Sequence, residues 1–418
     1  MPIDDPHDIV IVGAGAAGLA TAIFAGRLTR RRVLLVDGAA RPGAKILISG
    51  GSRCNVTNAV VTERDYWGGR RTIISRVLAK LTVAQTIDFF AEIGVALKEE
   101  PGMKLFPRSD RSRDVLDALL SAARAANVTL ATATRVYDVV AQEANGFLLE
   151  SSAGPLRART LVMATGGLSL PKTGSDGAGL RIARALGHSI VATTPALAPL
   201  VVTQGFNESV SGVAHEVELS LRVDGRITER IRRSMLWTHF GVSGPAALDV
   251  SRHLLRARLE ARSTALTVSL LPSATFESLE ERWTHLASAR PRSTLNGALS
   301  EMLPGSVASA LLNHMQIDPE VKLASLTRST RRTVSHALTG LPLNVADSRG
   351  YNYAEATAGG VALDEINAGS MESRRCSGLY FVGEMLDVDG RLGGFNFQWA
   401  WSSGRAAAEG LARRIGTL

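Results

Sequence analysis

The chain is short of the residue types that announce a function at a glance. Its 418 residues include only two cysteines, Cys54 and Cys376. Two distant thiols make neither a disulfide framework nor a C-x-x-C redox pair, so a reducing cytoplasmic setting is expected and no metal is. In that setting the Asn-x-Thr/Ser matches at Asn55, Asn127 and Asn207 are chance. Aromatics are 5% of the chain, and no RNA-binding signature interleaves them with basic residues. The N-terminal "MPIDDPHDIV" lacks the basic segment of a signal peptide. The run at 8–26 is apolar enough to span a membrane, but "GAGAAG" interrupts it, so it reads as strand, turn and helix. Internal repeats and low-complexity tracts are missing too.

What is present is a globular composition, 45% hydrophobic with 40 glycines, on a chain long enough for about two to three domains. The net charge is +8, carried largely by scattered arginines with short clusters at 27–32 and 230–233. Such a surface attracts anionic ligands. Without an RNA-binding signature it reads as an arginine-rich solvated face, and no nucleic-acid partner is expected.

The strongest local pattern is "DIVIVGAGAAGLATAIFAGR". A β-branched strand (9–12) turns on three glycines and continues as an alanine-rich helix. Gly13 makes the tight turn, Gly15 lets a pyrophosphate approach the backbone, and Gly18 lets the helix pack on the strand. The helix N-terminus then offers free N–H groups to phosphate. A second strand, "RVLLVD", ends at Asp37, about 20 residues past the last glycine, where a ribose-binding acid belongs. An acid there accepts a free 2′-hydroxyl, as in NAD or FAD, and repels a 2′-phosphate.

The next stretch, "GAARPGAKILISGGSRCNVTN", decides between those two. Pro42-Gly43 breaks regular structure, Lys45 and Arg53 supply charge, and Gly50-Gly51 permits close backbone approach. An NAD domain would continue into an ordinary helix; this stretch suits the second phosphate and polar ring of a longer dinucleotide, FAD.

Further on, "ARTLVMATGG" reads as a buried strand at 161–164, and "GLYFVGEMLDVDGRLGGFNFQWAW" as a strand at 379–382, a glycine-rich loop and a helix starting near Gly394. Between them, Val217, Leu219, Leu221 and Val223 alternate with polar residues before an Asp224-Gly225 turn, the pattern of a half-buried hairpin. A strand at 265–273 ends at Pro272, and 276–325 is helical in pattern. No second G-x-G-x-x-G follows a strand, so NADH and NADPH are expected to be poor direct reductants.

Taken together, "GAKILISGGSRCNVTN", "LFPRSDRSRDVLDALL", "MATGGLSLPKTGSDGAGLRIARALGHSI", "LWTHFGVSGPAAL" and "GGVALDEINAGSMESRRCSGLYFVGEMLDVDGRLGGFNFQWAWSSG" resemble the family of FAD-dependent oxidoreductases that includes aminoacetone oxidase and the bile-acid enzyme BaiN. The resemblance covers nearly the whole chain, least at 270–340. This chain departs from it at Asp37, where relatives usually carry glutamate, and at Ser52, where glycine is common. The resemblance implies an α/β, glutathione-reductase-like Rossmann FAD domain (1–194 and 345–418), interrupted by a β-barrel domain (195–272, returning at 327–344) with a helical insert (273–326).

It also implies a cofactor site. Beside the glycine turn with Ala16 and Ala17, it places Gly38 after Asp37, then Lys45, Ser49, Gly50, Arg53, Cys54 and Asn55 around the flavin half of FAD. Val136 and the strand end Ala164, Thr165 and Gly166 would back the cofactor. Glu384 would meet the ribityl chain, with Gly383 and Asp387 among the cofactor-binding residues around it. The helix opening with Gly394, Phe395, Asn396 and Phe397 would aim its N-terminus at the flavin pyrimidine edge, where it stabilises the charge of reduced flavin.

Cys54 reads as a small residue packed beside the cofactor. His239 is a candidate proton donor or substrate ligand, or a structural histidine of its turn. Arg53 would orient substrate, stabilise flavin or simply contact phosphate. "SMESRRCSG" reads as a structural crossover. The expected activity is hydride transfer between FAD and a small organic substrate, by amine oxidation or C=C reduction. A basic flavoprotein acting on RNA, or a flavin-bound interaction protein, is the alternative; NAD(P)H as partner and the oligomeric state are left open.

Overall fold

The computed structural model describes residues 6–29, 31–142 and 146–416. The first five residues of the N-terminal stretch, and Arg30 of the basic cluster at 27–32, lie outside them. The chain divides into two compact units, one running to Thr193 and resuming at Ala356, the other Thr194–Glu355.

The first unit is built on a seven-stranded sheet. Strands β1 (His7–Val12), β2 (Val33–Val36), β3 (Val128–Ala131), β4 (Leu156–Met163) and β5 (Leu379–Phe381) run parallel in the order β3-β2-β1-β4-β5. β2 reads VLLV and is buried at every position, as expected for a parallel strand covered on both faces. Helix α1 (Ala16–Leu28) is buried continuously from Ala17 to Ala25, and its small side chains allow that. A hairpin, Val136–Gln142 and Gly146–Ser151, joins antiparallel along the first half of β4. That pairing is why β4 begins well before the expected 161–164.

The register positions the site. Val36, Val12, Met163 and Phe381 form one row across the sheet. One residue further on come Asp37, Gly13, Ala164 and Val382. Four strands therefore deliver their next residues to one edge, the carboxyl edge at which open α/β sheets bind ligands.

Residues expected to lack regular structure after β2 form a short helix, α2 (Ala44–Ser52), capped by Gly43 and broken inside. Ser49 is extended, and Gly50 and Gly51 take φ of 56° and 68°, a left-handed pair that only glycines adopt without strain. The long helix α3 (Phe395–Ile415) starts at Gly394, as the glycine-rich loop predicts.

The crossover before β5 is held by a buried line of side chains. Ser373 Oγ lies 2.9 Å from His188 Nε2, and His188 Nδ1 lies 2.9 Å from Glu365. Ser373 Oγ also accepts from the Arg375 and Cys376 N–H groups, so it is engaged in the turn and closed to solvent.

The second unit contains an antiparallel seven-stranded sheet in the order Leu341–Leu343, Thr264–Ser269, Ala214–Val223, Arg226–Thr238, Gly241–Ser243, Leu200–Val202, Val345–Ser348. The hairpin stands where the alternation put it, with Val217, Leu219, Leu221 and Val223 buried. Strand Val345–Ser348 pairs with Leu200–Val202, so the segment opening at 345 serves this sheet first. The expected strand at 265–273 stops at Ser269, because Leu270 N–H bonds to Leu338 instead of a strand partner. The helical region resolves into Phe276–Ala289, Leu295–Ser300 and Gly305–His314. No helix among the described residues is long and apolar enough to cross a membrane.

Candidate functional site

The glycine turn opens the carboxyl edge. Gly13 takes φ of 106°, and a Cβ there would lie 2.5 Å from the Ala164 carbonyl oxygen. A Cβ on Gly18 would meet the Gly13 carbonyl oxygen at 1.8 Å. These two glycines are demanded by the fold itself. Gly15 is different: a Cβ there would meet nothing within 4 Å. Its φ of −82° suits any residue, and α1 has no side-chain cap and no acid in its first turn. Open space over an uncapped helix N-terminus fits a dinucleotide pyrophosphate.

Asp37 is aimed by two backbone donors, Ala14 N–H to Oδ2 at 2.6 Å and Ala39 N–H to Oδ1 at 2.8 Å. It therefore braces the glycine turn as well as presenting a carboxylate beside it. A Cβ on Gly38 would fall 3.3 Å from Arg135, whose neighbour Val136 is buried. Ala164 donates to the Val12 carbonyl at 2.8 Å. Thr165 lies against the Met385 sulfur, and a Cβ on Gly166 would press on Ser175.

A dense polar cluster joins segments far apart in sequence. Lys45 Nζ, on α2, lies 2.7 Å from Glu384 Oε2 and 2.7 Å from Ser169 Oγ. Glu384 Oε1 accepts from Ser169 Oγ at 2.6 Å and Thr357 Oγ1 at 2.7 Å. Thr357 in turn accepts from the Leu168 and Ser169 N–H groups. Both ends of the ion pair keep about a fifth to a quarter of their side-chain surface, 24% for Lys45 and 20% for Glu384. A charged pair with every oxygen satisfied, yet open on one side, can present both signs to a polar ligand. Lys45 and Glu384 were predicted; Ser169 and Thr357 were not, although "GGLSLPKTG" carries the first.

The stretch at 46–58 divides. Ser49 Oγ donates to the Ile46 carbonyl, and Gly50 approaches Phe106 and Asn55. Cys54 is fully buried, and burial pushes its thiol up to about 12 against a smaller lowering by a hydrogen bond from Ser49. It is an inert packing residue. Arg53 is paired within the chain. Its Nη1 pairs with Glu100 at 2.8 Å and Asp110 at 3.5 Å, and its guanidinium lies over the Phe106 ring at 4.2 Å. Lys98 bonds Asp110 as well, which raises the lysine and holds the carboxyl below its ordinary value.

Asn55 spends its amide on backbone, donating to the Leu105 and Thr57 carbonyls and accepting from Gly394 N–H at 3.0 Å. Asn396 does likewise with both polar groups of Gly390. Phe395 is buried and its carbonyl accepts from Tyr66 Oη; Phe397 stacks on Trp401. The Asp387 carbonyl accepts from Gly69. These residues fix the start of α3 beside 55–58. Gly383 at φ 67° sits between β5 and Glu384. His239 lies in the second unit, exposed, its ring edge-on to Phe240 at 5.1 Å.

A carboxyl edge of this construction is that of a dinucleotide-binding α/β oxidoreductase. The chain belongs to the HI0933-like family: the family model described as HI0933-like protein Rossmann domain matches residues 7–410. It is 35% identical over 410 residues to ribosomal RNA dihydrouridine synthase of Escherichia coli (strain K12), covering 97% of this chain and 98% of that one. To 3-dehydro-bile acid delta(4,6)-reductase of Clostridium scindens it is 30% identical over 408 residues, covering 97% and 99%. The open conformation of a flavocytochrome c3 fumarate reductase shares the fold, with TM-score 0.51 and 16% identity over 98% of this chain and 78% of that one. The family resemblance seen in the motifs holds, and the chain is an FAD-dependent oxidoreductase with a Rossmann-type FAD-binding fold.

Proposed function

We propose that this protein saturates a carbon–carbon double bond conjugated to a carbonyl, and that its substrate is a uracil base in RNA. The observation that carries the reading is the 35% identity, over 97% of the chain, to an enzyme named for making dihydrouridine in ribosomal RNA. Dihydrouridine is uridine reduced across its C5–C6 double bond, which is conjugated to the C4 carbonyl. The Clostridium scindens relative is named for a reductase, which favours reduction over the amine oxidation also expected. The reading departs from the expectation of no nucleic acid; a net charge of +8 supports it.

Bound FAD, in its reduced form, supplies the hydride. The remaining roles fall to the chain's own residues. Gly13, Gly15, Ala16, Ala17 and Gly18 hold the pyrophosphate, Asp37 the adenosine ribose, and Lys45 with Glu384 the ribityl and phosphate region. The N–H groups of 395–397 favour negative charge on the flavin pyrimidine. His239 provides the proton for the carbon that does not receive hydride; His239→Ala is expected to keep FAD and lose about 100-fold in turnover. In the second unit the sheet is read as a barrel, supported by edge strands Leu341–Leu343 and Val345–Ser348 that are separated only by Asn344. The helices between Thr264–Ser269 and Leu341–Leu343 are then its insert.

The test is anaerobic. Protein with pre-reduced flavin is mixed with a uridine-containing transcript, the same transcript lacking uridine, or a small cyclic enone. Reoxidation by the uridine transcript alone is expected. Reoxidation by the enone alone moves the reading to small molecules.

A further inference from the structure

In the second unit, two loops bring together three side chains. Phe240 follows the end of strand Arg226–Thr238, and Arg349 and Tyr353 follow strand Val345–Ser348. The Arg349 Cζ lies 4.3 Å from the Phe240 ring centroid and 3.9 Å from that of Tyr353, so the guanidinium is held between two rings. Both loops are anchored by backbone: Arg349 N–H to the Pro199 carbonyl at 2.9 Å, Val202 N–H to the Phe240 carbonyl at 3.0 Å. The turn 350–354 is closed by Tyr353 and Ala354 N–H groups on the Gly350 carbonyl.

Two features of this stack are unspent. Aromatic faces satisfy the plane of a guanidinium but not its N–H edge. Among the described residues no carboxylate or carbonyl engages the Arg349 side chain. Arg258, by contrast, is spent on the Val345 and Ala346 carbonyls of the strand that leads to Arg349. Tyr353, moreover, keeps 52% of its surface exposed, and its only ring contact among the described residues is Arg349. A large exposed aromatic on a rigid turn, backed by a cation with a free donor edge, matches what unpaired nucleotides need. The base stacks on the ring, and the phosphate accepts from the guanidinium.

We propose that Phe240, Arg349 and Tyr353 form a docking stack for an unpaired nucleotide of the RNA substrate, a site that rests on the RNA reading above. Stacking ligands of this kind tolerate any base, so the site contributes affinity and placement rather than the choice of uridine. Tyr353 and Arg349 are positioning residues: they act on KM and leave the flavin alone.

The experiment is fluorescence anisotropy of a labelled single-stranded uridine-containing RNA titrated with FAD-loaded protein. The variants are Tyr353→Ala, Tyr353→Phe and Arg349→Lys. Binding weakened roughly tenfold or more in Tyr353→Ala is expected, with Tyr353→Phe within about twofold of the parent. Arg349→Lys should weaken binding severalfold, because an ammonium lacks the flat face that two rings hold. With pre-reduced flavin in a single turnover, the losses should sit in the RNA concentration that half-saturates reoxidation, with the rate at saturating RNA and the FAD content unchanged. If the parent binds RNA and Tyr353→Ala binds it equally, the stack is refuted and the RNA reading stands. If the parent binds no such RNA, the RNA reading falls and the stack with it.

Discussion

Gly15 gives the sharpest separation of fold from cofactor binding. In Gly15→Ala the new methyl enters space with no heavy atom within 4 Å, on a backbone of φ −82° and ψ −168° that alanine adopts freely. Two small effects on the cofactor-free protein oppose each other. Alanine restricts the unfolded chain, stabilising by about 0.4–1 kcal/mol, and it is a poorer N-cap than glycine by a similar amount. Apo stability should therefore change by less than about 0.5 kcal/mol. Cofactor binding should not be spared. In the proposed site the methyl stands where the pyrophosphate would meet the first turn of α1, and losing two N–H bonds to a charged group costs about 3 kcal/mol or more. That is a loss in FAD affinity of over roughly 100-fold. The assay pairs urea denaturation of the apo protein with titration of FAD by flavin fluorescence quenching. FAD affinity equal to the parent's would refute the placement of the pyrophosphate. A destabilised apo protein would refute the claim that the space is open.

Asp37→Ala should weaken FAD binding by about 1.5–3 kcal/mol, and it should also lower apo stability by about 1 kcal/mol because the Ala14 N–H loses its acceptor; equilibrium titration and urea melts read the two effects separately. Glu384→Ala removes the acceptor of Lys45, Ser169 and Thr357, so the apo protein should lose about 2 kcal/mol or more in urea denaturation, and an unchanged midpoint would contradict the network. Burial holds the Cys54 thiol up to about 12 from its ordinary 9. Its contribution is then whole below pH 9 and is lost as pH rises toward 12, since the unfolded chain ionises first. Thiol reagents at pH 8 should leave Cys54 unlabelled in the folded protein and label it in denaturant.

Where a local fold is written in consecutive residues, it was legible. The glycine turn needs only a strand, three glycines and a helix, and Asp37 follows at a distance set by one βαβ unit. The start of α3 was equally plain, since Gly393 and Gly394 precede a run that can only be helical. What the sequence hid was pairing across distance. Glu384 is held by Lys45, Ser169 and Thr357 from three separate segments, and no local pattern marks the two hydroxyls. Arg53 was read as a substrate, flavin or phosphate contact, and its pairing with Glu100 and Asp110 could not be seen because they lie dozens of residues away, brought beside it by the strands Leu97–Glu100 and Lys104–Pro107. The backbone partners of Asn55, at Leu105 and Gly394, were hidden in the same way. The broken helix α2 was misread as irregular because Gly50 and Gly51 hide the helical turn before them.

The proposed reaction is the saturation of uridine in RNA by reduced FAD on this protein. Its most direct measurement is nucleoside mass spectrometry of a transcript incubated anaerobically with flavin-reduced protein, with flavin absorbance followed in the same vessel. One dihydrouridine should form for each flavin reoxidised. Flavin that stays reduced beside unmodified RNA would contradict it.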